Sequence, residues 1–167
     1  MMGKMTQRYN VLFLCTGNSV RSIMAEAILN GKGRRVFTAY SAGSHPAGVV
    51  SPEALKQISR GLLPTDGLRS KSWEEFVKPG APKMDFVFTV CDSAAAEICP
   101  VWPGQPMTAH WGLADPGAVK GTPEQIELAF RETYQILERR IDLFLSLSFV
   151  SLDKLAIQKE IKRIGHQ

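Results

Sequence analysis

The sequence predicts an α/β fold: a single three-layer domain with a four-stranded parallel sheet flanked by helices. Three observations carry that prediction. Short apolar runs alternate with amphipathic helical stretches along the chain. The first run passes through a Gly/Asn turn directly into a helix, as βαβ units do. Three of the runs also deliver a reactive side chain at or just past their C-terminal ends, namely Cys15, Cys91 and Asp115. Ligands of open parallel sheets bind beyond those ends.

Each element has its own reason. Tyr9 to Leu14 is the first strand, closed by the apolar run Val11-Leu12-Phe13-Leu14. Ser22 to Asn30 reads as a helix with Ile23, Ala27 and Ile28 on one face, stopped by Gly31 and Gly33. Val36 to Ser41 is the second strand. Ser51 caps a helix whose first turn holds Pro52 and which runs to Arg60. Trp73 to Val77 reads as a short helical turn, and Met84 to Val90 as the third strand. Ser93 to Glu97 is an Ala-rich helical turn. Met107 to Trp111 is the last strand. Thr122-Pro123-Glu124 caps a long helix to Ser146, with Ile126, Phe130, Tyr134, Leu137, Ile141 and Phe144 in a core-facing stripe. A final helix, Leu152 to Ile164, carries Leu155, Ile161 and Ile164. The organisation expected is an N-terminal extension over 1–8, one domain over 9–148 and a helical extension over 149–167.

Cys15-Thr16-Gly17-Asn18-Ser19-Val20-Arg21-Ser22 joins the first strand to the first helix. This C-x5-R spacing lets the backbone N–H groups of Thr16 to Ser22 curl around one point. Gly17 and Asn18 are residue types that tolerate left-handed backbone. The helix start adds unpaired N–H donors and a positive dipole end. Arg21 supplies a planar fork for two oxyanion oxygens. The same donors are expected to depress the pKa of Cys15 and make it a nucleophile. Asp115, followed by Pro116, is placed to act as a general acid from a neighbouring loop.

The bulk properties narrow the function classes. A chain of 167 residues is one domain by default. Its net charge of +4 suits an anionic substrate but is too mild and scattered for nucleic acid. No apolar stretch approaches membrane-spanning length, and the run before Cys15 is too short for a signal peptide, so a cytoplasmic location is expected. Three cysteines, Cys15, Cys91 and Cys99, argue against a static disulfide framework. Seven residues separate Cys91 from Cys99, which is no zinc spacing, so no metal is expected.

The chain resembles the low-molecular-weight tyrosine phosphatase superfamily, and within it the arsenate reductases. The resemblance rests on Cys15, Gly17, Asn18, Ser19, Arg21 and Ser22, on Ser41-Ala42-Gly43, and on His110-Trp111-Gly112-Leu113-Ala114-Asp115-Pro116. It runs from about Tyr9 to Leu147. It implies that residues 15–22 form a phosphate-binding loop, that Ser22 donates its hydroxyl to the Cys15 thiolate, and that Asp115 protonates a leaving oxygen.

The resemblance also implies a redox relay. Cys15 attacks arsenate, Cys91 displaces arsenite by forming a disulfide with Cys15, and Cys99 then takes over Cys91. No cofactor is implied beyond an external thiol reductant, either thioredoxin or a glutaredoxin/glutathione system. The alternative is a phosphatase working through a phospho-cysteine. Two departures favour the reductase: Val20 stands where the phosphatases usually carry a second cysteine, and Gly117 and Ala118 follow Asp115-Pro116 where they usually carry aromatic residues. A third reading is a non-catalytic oxyanion-binding or thiol-sensing protein.

Overall fold

The computed structural model describes residues 8–91 and 102–167. Four strands, β1 (Tyr9–Leu14), β2 (Phe37–Ala42), β3 (Phe86–Thr89) and β4 (Met107–His110), form one sheet in the order β2-β1-β3-β4. All three pairings are parallel, with Leu14 opposite Ala42 on one side and Thr89 on the other. The parallel α/β architecture is thus the one the alternating pattern predicts. The Ser93–Glu97 turn and Cys99 lie outside the described residues.

Four α-helices complete the described fold: α1 (Arg21–Lys32), α2 (Pro52–Arg60), α3 (Pro123–Leu145) and α4 (Lys154–Ile164). Side-chain alternation along β1 splits the interior into two cores. Val11 and Phe13 face the larger one, which buries residues from all four helices. Leu12 and Leu14 face a smaller one closed by Phe76, Met84 and Trp102. The sheet therefore lies between two apolar layers. Each fully buried Leu or Phe contributes about 1.5–3 kcal/mol, which makes β1 the rigid base from which Cys15 projects.

Two expectations are corrected. Gly31 lies inside α1 rather than ending it, and Gly33 is the C-cap. A Cβ on Gly31 would stand 2.3 Å from Leu63 Cδ2, so the glycine admits close packing there instead of breaking the helix. In the last helix Leu155 is 78% exposed, and the buried stripe is Ile157, Ile161 and Ile164, spaced four and three apart. The start of α3 follows expectation, with a capping box between Thr122 and Gln125.

Candidate active site

Cys15 follows β1 directly and is almost fully buried. The loop after it is held from outside by its carbonyls. Thr16 O accepts from His45 N, Gly17 O from Ala47 N and Ser70 Oγ, and Ser19 O from Ser51 N. With these carbonyls turned outward, the Gly17 N–H bonds the Cys15 thiol. The close wrap depends on Gly43, where a Cβ would sit 2.4 Å from Thr16 O and 2.6 Å from Cys15 O.

Asn18, with φ of 45°, takes the left-handed turn; Gly17 does not share it. The Asn18 side chain makes that conformation unique. Its Nδ2 donates to Ser22 Oγ and Ser41 Oγ, both at 2.9 Å, and its Oδ1 accepts the Lys71 N–H at 2.8 Å. Ser41 Oγ donates in turn to Glu26 Oε1, and Lys71 Nζ lies 3.6 Å from the same oxygen. Asn18, Ser22, Ser41 and Lys71 are all buried, so a satisfied polar network supports the loop from below. Burial pushes the Glu26 carboxyl up and the Lys71 ammonium down, each opposed by the other's charge. Glu26 and Lys71 are absent from the sequence-level site. Lys71 sits in a polar stretch with no local signal, and only folding brings it to Asn18.

Arg21 opens α1, whose N-terminus has no side-chain cap and no acidic residue in its first turn. Its Nη1 donates to Leu113 O at 2.9 Å, and Nη2 lies 3.8 Å from Asp115 Oδ2. Its Nε is buried and without a partner, which leaves a donor for an oxyanion. Asp115 is half-exposed; its Oδ1 accepts from Gly117 N at 2.8 Å and caps the turn Pro116–Ala118. The carboxylate is thus fixed in aim and open to solvent. Trp111 is buried and stacked on Phe88 at 4.0 Å, whereas His110 is exposed and bonded to Thr89 Oγ1.

Cys91 lies just past β3, and the parallel register carries it to the loop. Its Sγ accepts the Thr16 N–H at 3.3 Å, which sets the Cys91 thiol against the loop beside Cys15. The Cys91 thiol, followed by burial, pushes the Cys15 thiol up, while the Arg21 charge and the Gly17 N–H pull it down. The expectation of a simply depressed thiol is therefore corrected. The C-x5-R loop acts on Cys15 as foreseen, but a second thiol from another strand opposes it. Two such thiols titrate as a pair, the second proton held more tightly than the first.

A buried thiol, a loop leading into a helix N-terminus, a convergent arginine and a carboxylate on a facing loop are the parts a thiol-based enzyme for tetrahedral oxyanions would need. More narrowly, the chain belongs to the low molecular weight phosphotyrosine protein phosphatase family, whose model matches residues 10–162. It is 34% identical over 139 residues to an arsenate reductase of Halalkalibacterium halodurans, covering 80% of this chain and 93% of that one. It is 33% identical over 138 residues to an arsenate reductase of Oceanobacillus iheyensis, with the same coverage. Among solved structures it resembles an arsenate reductase in the phosphate binding state, at 26% identity and a TM-score of 0.66, covering 80% and 94% of the two chains. It also resembles a low molecular weight protein tyrosine phosphatase from T. tengcongensis, at 26% identity and a TM-score of 0.64, covering 80% and 95%. Among the described residues no helix is long and apolar enough to cross a membrane.

Proposed function

We propose that this protein is an arsenate reductase working through a cysteine relay. The observation that carries the reading is a second thiol, Cys91, bonded by the N–H of Thr16, the residue that follows Cys15. A phosphatase needs one thiol there; a reductase needs a second within reach of the first. Membership of the family and the arsenate reductases among its relatives support the same reading.

The Cys15 thiolate attacks arsenate held by the loop N–H groups and Arg21. A water molecule leaves, its oxygen protonated by Asp115, and a Cys15–arsenic bond forms. The Cys91 thiolate then attacks Cys15 Sγ. A Cys15–Cys91 disulfide forms, the electron pair of the sulfur–arsenic bond stays on arsenic, and arsenite departs two electrons richer. Cys99 attacks Cys91 Sγ, which frees Cys15 and leaves a Cys91–Cys99 disulfide. An external thiol reductant, thioredoxin or a glutaredoxin/glutathione system, reduces that disulfide by exchange and ends as a disulfide itself. Such a cycle belongs in a reducing compartment, the cytoplasm.

A second reading, hydrolysis of a phosphate monoester through a phospho-cysteine, is favoured by Asp115, whose half-exposed carboxylate faces the Arg21 pocket. A side-by-side assay separates the two. Arsenate reduction with each thiol donor is compared with hydrolysis of an aryl phosphate. Hydrolysis without donor-dependent arsenite production would defeat the reductase reading.

A further inference from the structure

We propose that Arg140, together with the C-terminal helix α4, is a positioning device for the loop that carries Asp115. The proposal rests on the reading of Asp115 as the general acid.

The loop leaves β4 at Trp111 and reaches Asp115 four residues later. Its successive carbonyls are taken by two arginines. Arg140 Nη1, from α3, donates to Trp111 O at 2.7 Å and to Gly112 O at 3.3 Å. Arg21 Nη1, from the oxyanion loop, donates to the next carbonyl, Leu113 O, at 2.9 Å. One guanidinium therefore grips the root of the loop and the other its tip, beside the oxyanion site. Arg140 is only 7% exposed; Nη1 alone serves this adjacent pair of acceptors, and the rest of the planar fork serves a third carbonyl.

The C-terminal segment completes the grip. Arg140 Nε and Nη2 donate to Gln167 O at 3.3 and 3.2 Å. The buried Trp111 indole donates Nε1–H to Ile161 O at 2.9 Å. Gly165 lies so close to the strand end that a Cβ there would stand 2.3 Å from His110 O. The apolar stripe Ile157, Ile161 and Ile164 holds α4 against the larger core. The root of the acid loop is thus bonded to α3 and α4 on its buried side. On the sheet side, Trp111 N donates to Thr89 O and Leu113 N to Val90 O. Side-chain hydrogen bonds from buried groups carry most of this placement, and a displacement of about 1 Å is enough to cost a catalytic group much of its effect. The last helix, on this view, sets where the proton donor stands over the oxyanion pocket.

The test uses the full chain and two conservative variants. Arg140→Lys keeps the charge and loses the fork; Trp111→Phe loses only the indole donor. Hydrogen exchange followed by mass spectrometry is the first readout. In each variant the amides of 111–117, including the Gly117 N–H held by Asp115, should exchange about tenfold faster or more, while those of 15–22 stay as in the wild type. A uniform rise across the chain, or no rise in 111–117, would overturn the proposal. Kinetics are the second readout. Phenyl phosphate, a poor leaving group, should lose on the order of 10- to 100-fold in turnover, and 4-nitrophenyl phosphate much less. In an Asp115→Asn background both variants should add little. Full additivity there would sink the positioning role while leaving the acid intact. An Asp115→Asn variant that itself loses activity equally on both substrates would instead remove the acid, and the proposal with it.

Discussion

The thiol of Cys91 acts on the thiol of Cys15 although the two belong to the ends of different strands. The parallel pairing of β1 with β3, Leu14 opposite Thr89, places both just past the same sheet edge. Cys91 is further tied to the loop by the Thr16 N–H. A single thiol there would be governed by the loop alone; two thiols titrate together.

That relationship predicts a measurable titration. Cys91 pushes the Cys15 thiol up, so its removal must bring Cys15 down. In Cys91→Ala, the pH midpoint for iodoacetamide alkylation of Cys15, read by peptide mapping, should fall below that of the wild type. An unchanged or higher midpoint would show that Cys91 does not act on the Cys15 thiol.

Separation of the two chemistries tests the relay. Cys91→Ser and Cys99→Ser should each stop multiple-turnover arsenate reduction and leave aryl phosphate hydrolysis nearly intact, because water resolves a phospho-cysteine without a second thiol. With Cys99 replaced, one turnover should leave a Cys15–Cys91 disulfide, visible in non-reducing peptide maps. Full-rate reduction by both variants would transfer the assignment to the phosphatase.

The buried pair Glu26–Lys71 supports the loop through Ser41 and Asn18. Glu26→Gln and Lys71→Met should each destabilise the protein by about 3–5 kcal/mol, since each leaves a polar partner stranded. The double variant should cost less than the sum by on the order of 1 kcal/mol or more. Urea unfolding of the four proteins measures this, and strict additivity would mean the pair is not coupled.

Gly43 is set against the backbone of Cys15 itself. Gly43→Ala should lower turnover by on the order of 100-fold or more, because its Cβ would meet two carbonyl oxygens that cannot move without opening the loop. Gly17→Ala is the control, since a Cβ there meets nothing within 4 Å. Equal activity in the two variants would remove the close approach as a requirement.

The sequence by itself determined the sheet, the order of its elements and the strand-to-helix loop at Cys15–Ser22. All three rest on local signals. Strand-length apolar runs, the Thr122 cap and the C-x5-R spacing act within a few residues, and hydrophobic alternation commits each strand to its two faces. Membership of the family was legible for the same reason, since its motifs are contiguous at Cys15–Ser22 and His110–Pro116. Only the tertiary structure decided what those motifs touch. Gly31 reads as a stop until Leu63 is packed on it, and Leu155 reads as core until α4 is docked on Ile157. Cys91, Lys71 and Arg140 come to the site from separate elements, through strand register, a buried ion pair and one guanidinium nitrogen shared by two carbonyls. Such long-range bonds leave no periodic trace in a sequence, because their partners are chosen by the packed core and not by spacing along the chain.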